Sequence, residues 1–160
     1  MTHAFAFLSA EWPEVHEAAE RAWLSAHPDP RAACFYARRA LELAVSWAYR
    51  ADSSLRRPYQ DNLSSLVHEP SFKRVAGDAV FNKARLIIDL GNRAVHREGG
   101  IQPTQSTVAV RELFHVAYWF ARTYGRRGKP APGLSFDAHA LPRRPSRRTG
   151  TSRCRRPGAS

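Results

Sequence analysis

Residues 89–96, with the sequence DLGNRAVH, place an amide and an imidazole four positions apart, at Asn92 and His96. On an α-helix this spacing puts the two side chains on one face, where they can orient each other. One interpretation is chemical: His96 acts as a general acid or base that Asn92 holds in place. The other is structural: both side chains bond to nearby backbone, and a histidine charge is favourable near a helix C-terminus. The spacing alone favours the structural interpretation.

Two arginines of the same predicted helix, Arg85 and Arg93, complete a candidate binding site with Asn92 and His96. In the functional interpretation the four side chains form a local positive patch. In the structural interpretation the arginines lie solvated on the outer face of the helix, which is the usual place for charged side chains. We take the solvated face as the default.

Motifs of metal and cofactor sites are missing from the sequence. Glu112 and His115 have the Glu-x-x-His spacing of di-iron carboxylate bundles, but no second such pair exists, so we expect a solvated helix surface there. The sequence has no Cys-x-x-Cys or His-x-x-x-His pair for zinc and no phosphate loop. No nucleophile motif is recognisable, and Cys34, on an Ala-rich segment, is predicted to lie in the core. We therefore expect no metal, no cofactor and no small-molecule substrate.

The elements that position these residues are predicted to be helices, because apolar residues recur at helical spacing and no stretch alternates as a strand does. We predict an all-α, up-and-down bundle of four principal helices plus one or two short helices. The segment LSSLVH accounts for one of the short helices. The predicted N-caps of the principal helices are Ser9, Asp29, Asp78 and either Thr104 or Ser106.

The net charge of +11 is concentrated near the C-terminus. Residues 1–125 have 15 Lys and Arg against 13 Asp and Glu, whereas residues 126–160 have 10 against a single Asp. We predict a folded bundle over residues 5–125 and a disordered, Arg- and Pro-rich tail over residues 126–160. The tail is either a basic arm for phosphate backbones or a non-native product of a frameshift in GC-rich DNA. The lack of aromatic residues interleaved with the arginines favours the second explanation.

The sequence indicates an intracellular protein. Two cysteines, Cys34 and Cys154, do not make a disulfide framework. The longest apolar stretches, such as HVAYWFA, are far too short for a membrane span, and the start of the chain lacks a cationic leader. We therefore expect a cytoplasmic location and no membrane partner.

Three segments together resemble the HEPN-like helical domain at the N-terminus of bacterial type I restriction enzyme R subunits. They are DPRAACFYARRALELAVSWAY, FNKARLIIDLGNRAVH and AVRELFHVAYWFARTY. The resemblance covers about residues 5–136 and implies a HEPN-like up-and-down bundle. In those R subunits a nuclease domain and a helicase motor follow, and neither fits in 160 residues. The resemblance thus implies a stand-alone or truncated version of the R-subunit domain.

HEPN ribonucleases have an arginine, often followed by a polar residue such as Asn, and then a histidine a few places on. Two protomers pair these groups and cleave RNA without a metal. The resemblance matches Asn92 and His96 to the polar residue and the histidine, but Gly91 stands where the arginine is expected. The cation that would stabilise the phosphorane charge is therefore missing. We predict that Gly91 instead lets a neighbouring helix come close, and that Asn92 and His96 fasten helix ends of the bundle.

These observations favour a non-catalytic interaction or regulatory module of a restriction-type defence system. Its expected partner is another protein or a second copy of the chain, with weak nucleic-acid contact as a further role. One alternative is a metal-independent ribonuclease that uses His96, with Arg85 or Arg93 as the cation. Another is nucleic-acid binding through the basic tail alone. The apolar helix faces are larger than a small bundle needs, so some of their tryptophans could serve a partner or a homodimer, although the core is the commoner place for an aromatic side chain: Trp12, Trp23, Trp47 and Trp119.

Overall fold

A computed structural model of the chain describes residues 4–96, 99–127 and 129–143. Within these ranges the chain is helical and contains no β-strand, which confirms the all-α prediction. Two short 3₁₀ helices, Ala6–Leu8 and Ala138–Ala140, lie near the ends of the described chain. The five α-helices are α1 (Pro13–Ser25), α2 (Pro30–Ala51), α3 (Leu63–His68), α4 (Pro70–His96) and α5 (Pro103–Tyr124).

Proline and capping side chains set the starts of the helices. The prediction for α2 is confirmed: Asp29 accepts a hydrogen bond from the backbone N–H of Ala32 at 3.1 Å, and Pro30 takes the first helical position. The predicted cap at Ser9 is wrong, because its hydroxyl donates back to the Ala6 carbonyl and α1 starts four residues later, at Pro13.

The start of α5 also differs from the prediction. The helix begins at Pro103, where Gln105 Oε1 accepts from the backbone N–H of Gln102 at 2.9 Å. Ser106 does not cap the helix. It is fully buried, and its hydroxyl donates to the Ala26 carbonyl at 2.5 Å, which links α5 to the end of α1. The other predicted cap, Thr104, has no capping hydrogen bond among the described residues.

Helix α4 contains a break at Gly77, whose φ of 81° and ψ of 166° are not helical. A non-glycine residue is strained at such a positive φ. The predicted helix from Asp78 to His96 corresponds to the part of α4 after this break, and residues 70–76 add a helical segment before it.

The core is formed by α2, which packs against α1, α4 and α5. Trp12 packs edge-on against Trp47, with ring centroids 5.4 Å apart, and against Phe120 at 4.6 Å. Trp12 and Trp23 are buried, and Trp47 and Trp119 are partly buried against the core. All four tryptophans therefore pack on the bundle itself, the commoner place for an aromatic side chain.

The folded part extends beyond the predicted end at Gly125. Pro130 and Leu141 are buried against the bundle, and Leu141 is only 3% exposed. The carbonyls of Pro130 and Ala131 accept hydrogen bonds from Arg122 and from the Tyr118 hydroxyl, both at 3.1 Å. The predicted tail boundary at residue 126 is therefore wrong, since the segment up to residue 143 packs on the helices. Residues 144–160, the rest of the predicted tail, lie outside the described residues.

Replacing Tyr124 with phenylalanine is expected to reduce the free energy of unfolding by about 1 kcal/mol. The Tyr124 hydroxyl donates to Asp52 Oδ2 at 2.6 Å and so joins the ends of α5 and α2. Urea unfolding followed by circular dichroism measures the loss. Tyr59→Phe is the matched control, because the Tyr59 side chain is wholly exposed. An equal loss in both variants would contradict this role of the hydrogen bond.

Candidate functional site

The four residues of the predicted binding site lie on the outer face of α4, and all four are exposed. The Arg85 guanidinium stacks over the Phe81 ring, 5.6 Å from its centroid. Asn92 and His96 are one helical turn apart, as predicted, but neither side chain forms a hydrogen bond with any described residue. Within the described residues they therefore fasten no helix end, and residues 97 and 98, which follow His96, lie outside the described residues.

Gly91 lies at the closest approach of α4 to α2. It is buried, and a Cβ atom built on it would lie 2.5 Å from Arg38 Cδ and 2.6 Å from Arg38 Cβ. Real carbon atoms do not come so close without a bond, so only glycine fits here without movement of a helix. The prediction that Gly91 lets a neighbouring helix approach is confirmed.

The head of Arg38 extends away from this contact. Its Nη1 lies 3.9 Å from Glu42 Oε2, one turn further along α2. Its Nε is buried and has no hydrogen-bond acceptor among the described residues. The Arg38 guanidinium is therefore directed along α2, towards Glu42 and the C-terminal half of this helix.

A second guanidinium reaches the end of α4 from α2. Arg31 Nη1 donates to the Ala94 carbonyl at 3.1 Å. The last carbonyls of a helix lack partners within the helix and carry partial negative charge, so a cation is favourable there. The sequence reasoning missed Arg31, because 63 residues separate it from Ala94 and only the antiparallel packing of α2 and α4 brings them together.

A polar cluster between α4 and α5 is the least expected feature of the structure. Glu112 is only 6% exposed, so the prediction of a solvated surface is wrong for this residue. Lys83 Nζ donates to Glu112 Oε2 at 2.7 Å, and Arg111 Nη2 donates to Glu112 Oε1 at 3.0 Å. Lys83 Nζ also lies 3.1 Å from His115 Nδ1, which can accept from it when the ring is neutral.

Burial and charge set the protonation of this cluster. Burial by itself would raise the pKa of Glu112, but the hydrogen bonds and charges of Lys83 and Arg111 outweigh it, so the pKa of Glu112 lies below its usual value. Burial, together with the neighbouring Lys83 charge, lowers the pKa of His115. The cluster is therefore an ionised carboxylate, two cations and a neutral imidazole at neutral pH.

The lowered pKa values predict a loss of stability on acidification. A group whose pKa is depressed in the folded state stabilises the protein above its unfolded pKa, and this contribution is lost as the pH falls. For His115 the loss begins near pH 6.5, and for Glu112 it begins near pH 4.5. We expect His115→Gln to flatten the decrease between about pH 7 and pH 5, measured by urea unfolding at a series of pH values. His139→Gln, which replaces an exposed histidine, controls for the loss of a histidine; an unchanged profile in His115→Gln would contradict the assignment.

Comparison with known proteins places most of this structure in one family. A family model described as a domain of unknown function, DUF4145, matches residues 20–141. The chain belongs to the DUF4145 family. The match begins within α1 and ends beside the buried Leu141, so it includes the C-terminal segment that packs on the helices. No curated protein and no solved structure matches the chain.

The surface of this DUF4145 domain has a shallow cleft of about 350 Å³ next to the predicted site, between α4 and α5. Arg93 lines the cleft, but Asn92 and His96 do not. Within the described residues, no three His, Cys, Asp or Glu side chains come together as a metal site would require. None of the described helices is both long and apolar enough to cross a bilayer.

Cys34 lies in the core of the DUF4145 domain, as predicted, and burial raises the pKa of its thiol to about 11. The thiolate is the reactive form, so Cys34 should react with Ellman's reagent at pH 8 roughly a hundredfold more slowly in the folded than in the unfolded protein. The variant Cys154→Ser leaves Cys34 as the only thiol for this measurement. Equal rates with and without guanidinium chloride would show that the core opens readily at α2.

Proposed function

We propose that this DUF4145 chain is a non-catalytic, HEPN-like interaction module that acts in the cytoplasm within a type I restriction-type defence system. The observation that carries the proposal is the contact between Gly91 and Arg38. At this position HEPN ribonucleases have an arginine, and here the backbone of α4 lies directly against the stem of Arg38, leaving no room for a side chain.

Loss of that arginine removes the charge that would stabilise the transition state of RNA cleavage. Asn92 and His96 remain on the surface, where a histidine without an orienting partner is a poor general base. The same face is suited to contact with another protein, because its side chains are exposed and are not committed to bonds within the described bundle.

Apolar side chains beside the site support a protein partner. Val95, next to Ala94 on α4, is 53% exposed, and Phe35, one turn after Arg31 on α2, is 46% exposed. Since Arg31 contacts Ala94, these two apolar groups flank the same helix–helix contact. Exposed apolar groups beside polar ones are typical of protein interfaces. We expect Val95→Glu to weaken copurification with the other subunits of a type I restriction system, whereas Leu24→Glu, which changes a similarly exposed leucine on α1, should not.

The decisive test of the non-catalytic role is incubation of the purified protein with single-stranded RNA in EDTA. We expect the RNA to remain intact over hours, with the same result for His96→Ala. Cleavage by the wild-type protein that is lost in His96→Ala would overturn the proposal.

The ribonuclease alternative is supported by one specific observation, the Arg31 guanidinium at the end of α4. In this alternative the missing cation is Arg31, which bonds to the carbonyl two residues before His96, rather than Arg85 or Arg93. Arg31→Ala should then abolish cleavage as completely as His96→Ala. Arg85→Ala is the matched control, because Arg85 is an exposed arginine earlier on α4, the helix that carries His96.

Nucleic-acid binding by the basic tail is tested by deletion. Because residues up to 143 pack on the bundle, the deletion should begin at residue 144 and leave the fold intact. Tail binding predicts that this deletion abolishes DNA binding and that binding to the full chain falls steeply with salt. Persistent binding after the deletion would place the contact on the helical bundle.

A further inference from the structure

An apolar cavity of about 440 Å³ lies where the C-terminal segment packs on the helices. Its walls come from the residues before α1, from α1 and α5, and from residues 130–140. Three aromatic side chains line it, namely Phe7, Trp23 and Phe114. None of the candidate-site residues on α4 lines this cavity, so a ligand bound here goes beyond the proposed interaction function and does not depend on it.

The wall formed by the C-terminal segment is held in place at both of its ends. At one end, the carbonyls of residues 130 and 131 accept hydrogen bonds from side chains of α5, both at 3.1 Å. At the other end, the ring of Phe136 lies 5.8 Å from the Trp23 ring and 5.9 Å from the Phe114 ring, measured between centroids. The cavity is therefore preformed, and a ligand would lose little free energy to ordering of the chain.

The lining of the cavity is mostly apolar. Leu134 lines it and is 43% exposed, so apolar surface is open to solvent there. Water in such a place finds few hydrogen-bonding partners, and its replacement by an apolar group is favourable. The volume lies within the range of ordinary small-molecule sites. The cavity is therefore suited to the apolar body of a small molecule.

One charged side chain, that of Asp137, is among the lining residues. Asp137 Oδ1 accepts a hydrogen bond from the backbone N–H of His139 at 2.9 Å and so caps the short helix Ala138–Ala140. Asp137 Oδ2 accepts no hydrogen bond from the described residues, and the carboxylate forms no ion pair with them. A carboxylate with an open oxygen favours a cation that carries N–H donors.

We propose that this cavity binds a small organic cation, a primary ammonium group attached to an apolar body. The ammonium group donates to the open oxygen of Asp137, and the apolar body packs beside Trp23 and Phe114. Aromatic rings attract cations as well as apolar groups, so the same lining serves both parts of the ligand. No lysine or arginine is among the lining residues, so an organic acid would place an unpaired negative charge beside Asp137.

The test is calorimetric titration of the full chain at neutral pH with 2-phenylethylamine and with its neutral isostere 2-phenylethanol. We expect saturable binding of the amine and at least tenfold weaker binding of the alcohol, because hydrogen bonds between charged groups are the stronger ones. Equal affinity for the two compounds, or no saturable binding of the amine, would overturn the proposal.

Asp137→Asn tests the carboxylate. Asparagine keeps a side chain that can cap the short helix, so the variant should retain the fold while losing the charge. Its affinity for the amine should fall at least tenfold, and its affinity for the alcohol should not change. Asp78→Asn, which changes an exposed aspartate on α4, is the matched control and should leave both affinities as they are. Equal amine affinity of the two variants would contradict the role of Asp137.

A second pair of variants tests the position of the bound ammonium group. Ser135 is an exposed residue that lines the cavity two positions before Asp137. Ser135→Lys brings an ammonium group of the chain itself to the cavity, where it should compete with the amine and weaken its binding at least tenfold. Ser135→Gln adds a long side chain without the charge and should retain most of the affinity. Circular dichroism checks that each variant is folded, and equal affinity of these two variants would show that the amine does not bind beside Asp137.

Discussion

Replacing Gly91 with arginine, which would restore the residue of HEPN ribonucleases, is expected to reduce the free energy of unfolding by roughly 3 kcal/mol. The first side-chain atom would already lie 2.5 Å from Arg38 Cδ and 2.6 Å from Arg38 Cβ. Arg38 Cδ can move by rotation of the side chain, but Arg38 Cβ is fixed to the backbone of α2. The two helices must therefore separate. Urea unfolding followed by circular dichroism measures the change.

Asn92→Arg is the control for this prediction, since it introduces the same side chain one position further on, where the helix faces solvent. Its effect should stay within about 0.5 kcal/mol. Gly91→Ala should be milder than Gly91→Arg, because alanine adds only the Cβ atom to the contact, whereas arginine adds a long side chain beyond it. Equal stability of Gly91→Arg and Asn92→Arg would contradict the close approach of α4 to α2 and remove the main support for a non-catalytic module.

Arg38→Ala provides a further check on the Gly91 contact. Truncation of Arg38 removes its Cγ and Cδ but leaves the Cβ that lies 2.6 Å from the added atom. Combined with Gly91→Ala it should therefore restore only part of the lost stability. Full restoration would show that the long side chain, and not the separation of the helix backbones, limits the space.

Replacing Glu112 with alanine is the second change with a large expected effect, a loss of roughly 2–3 kcal/mol in the free energy of unfolding. Removing one member of a buried ion pair leaves the other charge without compensation. Lys83 and Arg111 would both lose the carboxylate that they bond, although their partial exposure lets water replace some of the lost interaction. The expected loss is therefore at the lower end for a buried pair.

The control for Glu112→Ala is Glu17→Ala. Glu17 bonds to Arg21 at 3.0 Å, the same distance as that between Glu112 and Arg111, but both side chains of that pair are largely exposed. A surface pair of this kind contributes at most about 1 kcal/mol. A similar loss in the two variants would show that burial of Glu112 does not strengthen its ion pairs.

Most of the fold could be predicted because its signals are local. Two adjacent residues, Asp29 and Pro30, mark the start of α2. The spacing of apolar residues marks the buried faces of the principal helices. The C-terminal segment was missed because its Pro, Gly and Ser content is typical of disorder. A few apolar residues hold it in place, among them Phe136, which packs 5.8 Å from the ring of Trp23, and Leu141.

Only part of the candidate site could be predicted from the sequence. Gly91 can lie directly against another helix because glycine has no side chain, and the sequence shows this residue type directly. The burial of Glu112 does not follow from its own helix, because it depends on Lys83, 29 residues away. The contact of Arg31 with the end of α4 depends in the same way on how α2 and α4 pack against each other. Sequence spacing describes one helix at a time, whereas these contacts join two.

The packing of the C-terminal segment brings the two ends of the described chain together. Ala4 and Ala140 line the same apolar cavity of about 440 Å³, beside Trp23 and Phe114. When the two ends of a folded segment lie close together, the segment can be inserted into a surface loop of another protein, or joined end to end and reopened elsewhere, without disturbing its core. A circular permutant that joins residue 143 to residue 4 by a short Gly-Ser peptide, without the residues outside this range, and opens the chain in the exposed loop around Tyr59 should therefore fold into the same bundle.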